Sequence, residues 1–328
     1  MKRAATFSEN FRELGLLVFI VILCAAFQIR NHNFLTLSNI RDLLADTAIL
    51  GILSVGMMMV LLTAGIDLSI GATLALAGMV SALTVFAIPT ISPALSLLEG
   101  IAIGVAAGAL IGLLISRFNV LPIIATLGFM NILRGITYVV SGGAWVSSYQ
   151  MSDGFKSLAS GTVLGVRGLV LIAVVIFVIF AYFINHTRTG RQIYAVGSNA
   201  AAADISGIPR RRIILLVYVI MGALAGLAGV LWVAKFASAQ GDTATGYELS
   251  VIAATVLGGV SISGGSGKVS GLILGTILLG ILNNALPLIN VSPFWQQAIQ
   301  GVVILAAVLT NVIVKRNNQR MALRRRAI

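Results

Sequence analysis

Residues 48–88 read AILGILSVGMMMVLLTAGIDLSIGATLALAGMVSALTVFAI. Two apolar runs, 48–65 and 70–88, are separated only by Ile66-Asp67-Leu68-Ser69. A bilayer core about 30 Å thick takes about 20 apolar residues per helix, so each run is close to the length of one crossing. The interruption is flanked by glycine and carries a carboxylate. Such a break frees backbone N–H and C=O groups that, at membrane depth, only a protein interior or a cavity can satisfy. The stretch predicts two membrane helices joined by a buried break. The fold class that follows is all-α: a polytopic helical membrane protein with short or broken helices among its spans.

The rest of the chain agrees. Its 328 residues are 58% hydrophobic and 10% charged, with a mean hydropathy of +1.02. Soluble domains carry about 25% charged residues, so a chain this poor in charge cannot cover a globular surface with water-facing groups. By the same length criterion, spans are expected near 14–29, 48–65, 70–88, 94–115, 120–140, 163–184, 213–234, 247–262, 268–289 and 295–314. That makes about ten in one domain over 1–328, with a membrane region at 14–314 and a basic tail at 315–328. The run from Leu14 to Ile29 follows Lys2, Arg3 and Arg12, as a signal peptide would. No small-x-small cleavage site comes after it, so it is expected to be retained as the first span. Cys24, the single cysteine, lies inside this run and reads as an ordinary apolar side chain.

The net charge of +12 comes from basic residues that flank apolar segments. Without aromatic-basic interleaving it does not point to nucleic acid; it matches the Lys and Arg excess of cytoplasmic loops. Three stretches carry it: the N terminus, the segment 185–212 (NHTRTGRQIYAVGSNAAAADISGIPRRR) and the tail with Lys315, Arg316, Arg320, Arg324, Arg325 and Arg326. With ten spans an even number separates each pair, so both termini are expected in the cytoplasm. Small-xxx-small steps recur at Gly104, Gly108 and Gly112, at Gly222 and Gly226, and at Gly271 and Gly275. Each puts glycines on one helix face for close packing, within the subunit or against a second one.

The segment 185–212 is the longest polar interruption between strong spans. Ala200-Ala201-Ala202-Ala203 reads as a short helix with Ser198 or Asn199 as N-cap, and Gly207 with Pro209 beyond it marks its stop. A short helix framed by glycines suits docking on a motor protein; a solvated loop that only sets topology is the other reading. Gly190-Arg191-Gln192-Ile193-Tyr194-Ala195-Val196-Gly197-Ser198-Asn199, then Ala202-Ala203 and Ser206-Gly207-Ile208, resembles the cytoplasmic coupling segment of the ribose-type ABC permeases, a family serving ribose, xylose, arabinose, galactose and autoinducer-2. Further motifs follow in that family's order: Gly65-Ile66-Asp67-Leu68-Ser69-Ile70-Gly71, Ala125-Thr126-Leu127-Gly128 with Leu133-Arg134-Gly135, Gly246-Tyr247-Glu248-Leu249, Val256-Leu257-Gly258-Gly259, Ser263-Gly264-Gly265-Ser266-Gly267 and Leu282-Asn283-Asn284.

The resemblance implies a transmembrane permease subunit of an importer in the bacterial inner membrane, moving a monosaccharide or related solute. It implies a cytoplasmic ATPase subunit, a periplasmic sugar-binding protein and a second permease copy, identical or paralogous. It also implies no cofactor in this chain, ATP and Mg²⁺ being bound by the ATPase. The coupling residues would be Gly190, Arg191, Gly197, Asn199, Ala203, Gly207 and Ile208.

Intramembrane polar residues are the pathway candidates. Asp67 and Ser69 either cap the next half-helix or touch solute. Asn131 and Arg134, at i and i+3, share a helix face; they either line a pore, or Arg134 neutralises Glu99 or Glu248. One of Asn283 and Asn284 is expected to bridge helices and the other to face the path. Gly264-Gly265-Ser266-Gly267-Lys268 imitates a nucleotide-binding loop, but Ile262 and Val269 stand where that motif needs Gly and Ser or Thr. His32 and His186 sit beside span ends, and no catalytic or metal-ligand pattern accompanies them. An ion-driven secondary transporter would need intramembrane acids for coupling, and Asp67 is the one candidate.

Overall fold

The computed structural model describes residues 2–309 except 164, 293, 300, 303, 304 and 306–308, and side chains from residue 13 onward. Twelve α-helices run in chain order: α1 Lys2–Arg30, α2 Leu37–Leu62, α3 Ile70–Ala87, α4 Pro93–Phe118, α5 Pro122–Ser141, α6 Asp153–Ser160, α7 Gly168–His186, α8 Arg188–Ser198, α9 Ala200–Ile205, α10 Arg210–Phe236, α11 Tyr247–Leu257 and α12 Val269–Leu288. Among the described residues eight of these are long and apolar enough to cross a membrane, and α11 is a shorter apolar helix. Most of the tenth expected span, 295–314, and the basic tail lie outside the described residues.

Helix ends follow local chemistry. Thr36 accepts from the Asn39 amide at the start of α2. Ser92 accepts from the Leu95 amide, and Pro93, whose missing N–H is no loss in a first turn, begins α4. Asn119 and Gly142, both left-handed, end α4 and α5.

Among the boundaries that differ from the sequence reading, two are helix starts. α2 begins at Leu37, well before residue 48, because Asp42 and Asp46 are paired there: Asp42 with Arg167 at 2.6 Å and Asp46 with Lys235. The expected span 163–184 begins only at Gly168, since Thr162–Val163 and Val166–Arg167 form a two-stranded hairpin turning at Gly165.

Burial sorts the helices into layers. α2 is almost wholly enclosed, α3, α10 and α12 largely so, whereas few residues of α5, α7 and the Glu13–Arg30 part of α1 are buried. The outward side chains are apolar, among them Val21, Val139 and Val178, as a lipid-facing surface demands.

The glycine steps pack within the subunit. Along α4, Gly100, Gly104 and Gly108 meet Gly226, Gly222 and the Tyr218 backbone of α10 in reverse order, so the two helices run antiparallel with backbones touching. A Cβ on Gly104 would strike the Gly222 carbonyl oxygen. Gly271 and Gly275 abut Gly258 and Ala254 in the same manner and bring α12 against α11.

Candidate functional site

The segment after α7 turns at Thr187, whose hydroxyl accepts from the Gly190 amide at 3.0 Å and caps α8. Gly190 lies directly on the Phe183 and Ile184 carbonyls, where a side chain has no room. Ile193 and Val196 bury the inner face of α8. Gly197 lies against the Leu62 carbonyl, at the end of α2. Asn199, not Ser198, caps α9, its Oδ1 accepting from Ala202 N at 3.0 Å. The helix closes with bonds from Gly207 N to Asp204 O and from Ile208 N to Ala203 O, both 3.0 Å. This double closure needs a left-handed residue at Gly207, which has φ +72°.

The seven expected coupling residues therefore divide. Gly190, Gly197 and Ala203 hold the segment to the body of the protein. Asn199 and Gly207 shape it, Ile208 is half-buried, and Arg191 is exposed. On the exposed side Arg188, Arg191, Arg211 and Arg212 face outward, and so does Ile205, which is 89% exposed. Sequence reading passed over Ile205. The signal was an isoleucine two residues before the glycine stop, out of phase with the buried Ala203.

A second constellation surrounds the break between α2 and α3. Asp67 is 3% exposed, and its Oδ1 accepts from the Ser69 amide at 2.8 Å and the Ser69 hydroxyl at 2.6 Å. Ser69 occupies the N-cap position of α3 without making a side-chain cap bond. Asp67 thus braces the turn just ahead of the helix, where the positive end of the helix dipole favours a carboxylate. The Tyr218 hydroxyl donates to Ile66 O at 3.2 Å.

The break meets a second one, 237–246, between α10 and α11. There Ala237, Ala244 and Gly246 are left-handed. A Cβ on Gly71 would lie 2.6 Å from Ala244 O and 2.7 Å from Glu248 Oε2, so the starts of α3 and α11 converge. Arg134 of α5 donates from Nη1 to Gly241 O at 2.9 Å and Thr243 O at 2.7 Å, holding this second loop from the other side.

Hydrogen bonds decide the remaining candidates. Arg134 bonds these loop carbonyls, and the Glu99 carboxylate accepts from Thr84 Oγ1 at 2.7 Å, tying α4 to α3. Asn284 exchanges amide bonds with Asn39 of α2 at 2.9 and 3.1 Å and is the helix bridge. Asn283 is half-buried. Asn131 is exposed on α5, with its amide on Leu127 O of its own helix at 3.1 Å. Trp232 packs edge-on against Tyr247 at 5.0 Å. The expected short span 247–262 is α11, 11 residues long, followed by a turn. In that turn Gly264 and Gly265 are left-handed and the Gly265 amide is given to Leu62 O at 3.0 Å; the loop that imitates a phosphate cradle is a structural corner. Among the described residues no cluster of His, Cys, Asp or Glu is placed to hold a metal.

A bundle of crossing helices, two of them interrupted where they meet, and a two-helix appendage fixed through glycines define a membrane permease. Residues 39–308 match the family described as branched-chain amino acid transport system / permease component. The ribose import permease of Escherichia coli strain K12 is 41% identical over 301 residues, covering 90% of this chain and 92% of that protein. The ribose import permease of Bacillus subtilis strain 168 is 40% identical over 296 residues, 90% of each. An L-arabinose ABC transporter permease of Azospirillum brasilense is 34% identical over 310 residues, 94% of this chain and 90% of that one. No solved structure matches the chain. The chain belongs to this permease family and is a multi-pass membrane protein.

Proposed function

We propose that this chain is the translocating subunit of an ATP-driven importer for a monosaccharide or related solute in a bacterial inner membrane, with both termini in the cytoplasm. The observation that carries the reading is the form of the 188–208 segment. Its inner face is clamped to α2, α7 and the 258–268 turn by backbone contacts at Gly190 and Gly197. Its exposed side presents a bare isoleucine, Ile205, and the segment and the start of α10 carry exposed arginines. A surface isoleucine on a six-residue helix adds nothing to the fold, but it suits insertion into an apolar cleft of a cytoplasmic ATPase, with the arginines steering an acidic rim.

The sugar class rests on the relatives' ribose and arabinose names, as do the delivering binding protein and the second copy. ATP and Mg²⁺ belong to the partner. Solute passes by alternating access, the ATPase dimer pulling on 188–208. Asn131, on the outward face of α5 beside the open Gly128 and Gly135, is assigned to the path formed with the second copy. The ion-driven alternative has less support: Asp67 Oδ1 is committed to Ser69.

The test is co-purification of the ATPase with tagged permease, wild type and Ile205→Asp. Because Ile205 is exposed, folding stability should change by less than about 0.5 kcal/mol, while ATPase recovery falls at least about tenfold. Substitution of Gly197 would be a poor choice, since it would collide with Leu62. No ATPase with wild type, or full recovery with Ile205→Asp, overturns the reading.

A further inference from the structure

We infer that Tyr194, on the half-buried side of α8, is a positioning residue that clamps the docking segment to α11, so that movement of α8 reaches the 237–246 loop at the far end of that helix. The inference rests on the proposed docking of an ATPase at 188–208.

Three chain ends meet behind α8. The Tyr194 hydroxyl donates to Gly267 O at 2.9 Å. The Gly265 amide donates to Leu62 O at 3.0 Å at the end of α2. A Cβ on Gly265 would lie 2.6 Å from Ser198 Cα, and one on Gly264 would lie 2.7 Å from Gly197 O and 3.0 Å from Ala64 N. The contacts at Gly264 and Gly265 put backbone on backbone, with no long side chain between them to absorb a displacement. Packed contacts of this kind transmit a shift instead of damping it.

The turn so gripped runs directly into α11 in one direction and α12 in the other. α11 is 11 residues, a strut of about 16 Å. Its far end starts at left-handed Gly246, in the loop whose carbonyls Arg134 holds and whose Ala244 O touches Gly71 of α3. One rigid helix therefore joins the docking segment to the place where both helix interruptions meet. Tyr194 supplies a side-chain hydrogen bond in that joint, and its hydroxyl can be removed without changing its packing.

The experiment uses the permease–ATPase complex in lipid nanodiscs, with Cys24→Ala and Thr245→Cys introduced and a bimane fluorophore on residue 245 of the loop. ATP with vanadate is the probe, so no knowledge of the solute is needed. The parent complex should change fluorescence on trapping. Tyr194→Phe should retain the ATPase at parent yield while the fluorescence change per bound ATPase falls about fivefold, the factor one hydrogen bond is worth. Gly265→Ala, which forces a methyl against Ser198 at φ +71°, should show the same loss more severely.

Unchanged amplitude in both variants overturns the clamp. So does a parent complex whose loop signal ignores ATP. Loss of the ATPase from Tyr194→Phe would make Tyr194 a docking side chain and overturn it as well. If even the parent chain retains no ATPase, the importer reading fails first and the clamp falls with it; an ATPase that binds while the loop signal is indifferent to Tyr194 rejects the clamp alone.

Discussion

Gly222→Ala adds one methyl to α10, and the structure sets what it meets. The new Cβ would collide with Gly104 O and lie 2.9 Å from Gly108 Cα and 3.0 Å from the Gly104 carbonyl carbon. Carbon atoms pack at about 3.5–4.0 Å, so α4 must withdraw by roughly 0.5–1 Å. Gly100, Gly104 and Gly108 lie on one stripe against α10 and withdraw together. Overpacking of this kind costs about 1–3 kcal/mol, and rigid backbone on both sides puts it in the upper part of that range. Alanine returns about 1 kcal/mol of helix propensity, leaving a net loss of about 1–2 kcal/mol. Gly15→Ala in α1 is the internal reference, because nothing lies within 4 Å of its Cβ position and the same propensity gain should make it neutral or more stable. The assay is unfolding in mixed dodecyl maltoside and SDS micelles, followed by tryptophan fluorescence. Gly222→Ala should unfold at a lower SDS fraction than wild type and Gly15→Ala at an equal or higher one. The reverse order would refute the close α4–α10 contact.

The same titration tests the Asn39–Asn284 bridge. Each single alanine variant should cost about 1 kcal/mol, and the double variant should cost less than their sum, since one removed partner already breaks the pair. Full additivity would mean that the amides do not interact. Arg134→Met keeps the aliphatic stem and removes both bonds to Gly241 and Thr243; about 2–4 kcal/mol should be lost, at roughly 1.5–3 kcal/mol per charged hydrogen bond with partial recovery by water. Cysteine labelling at residue 245 should accelerate in that variant, and an unchanged labelling rate would show that Arg134 does not hold the loop.

Much of the architecture was legible in the sequence because lipid imposes a one-dimensional rule: apolar length sets a span. Nine of the expected spans correspond to helices, and the break at 66–69 lies where Asp67 announced it. The rule failed where polar groups were neutralised by distant ones. The expected span 48–65 stops short of Asp42 and Asp46, yet α2 includes both, paired with Arg167 and Lys235. Nothing local could show those partners. The helical form of the segment 188–208 was legible, with Ser198 or Asn199 as its cap and Gly207 as its stop, since such caps act within four residues of themselves. Which of its residues face inward was not, because the surface that buries Gly197 comes from Leu62 and Gly264, far away in the chain.

That same distance explains why the roles of the polar residues within the spans were harder to read than the caps of this segment. Of six polar residues offered for the pathway, four are committed to the protein's own construction. Asp67 and Ser69 brace one break, Arg134 supports the other, and Asn284 joins α12 to α2. A polar side chain in a bilayer is costly wherever it stands, so rarity marks importance without saying whether a solute or a backbone carbonyl is the partner. Asn131 differs: among the described residues its amide bonds within its own turn of helix, and it stands on an outward face. On the proposed reading, a path lined by so few side-chain amides would grip a sugar weakly. Weak binding suits a permease that must release what a separate binding protein has already selected, because a tight site midway would slow the release that each ATP cycle has to complete.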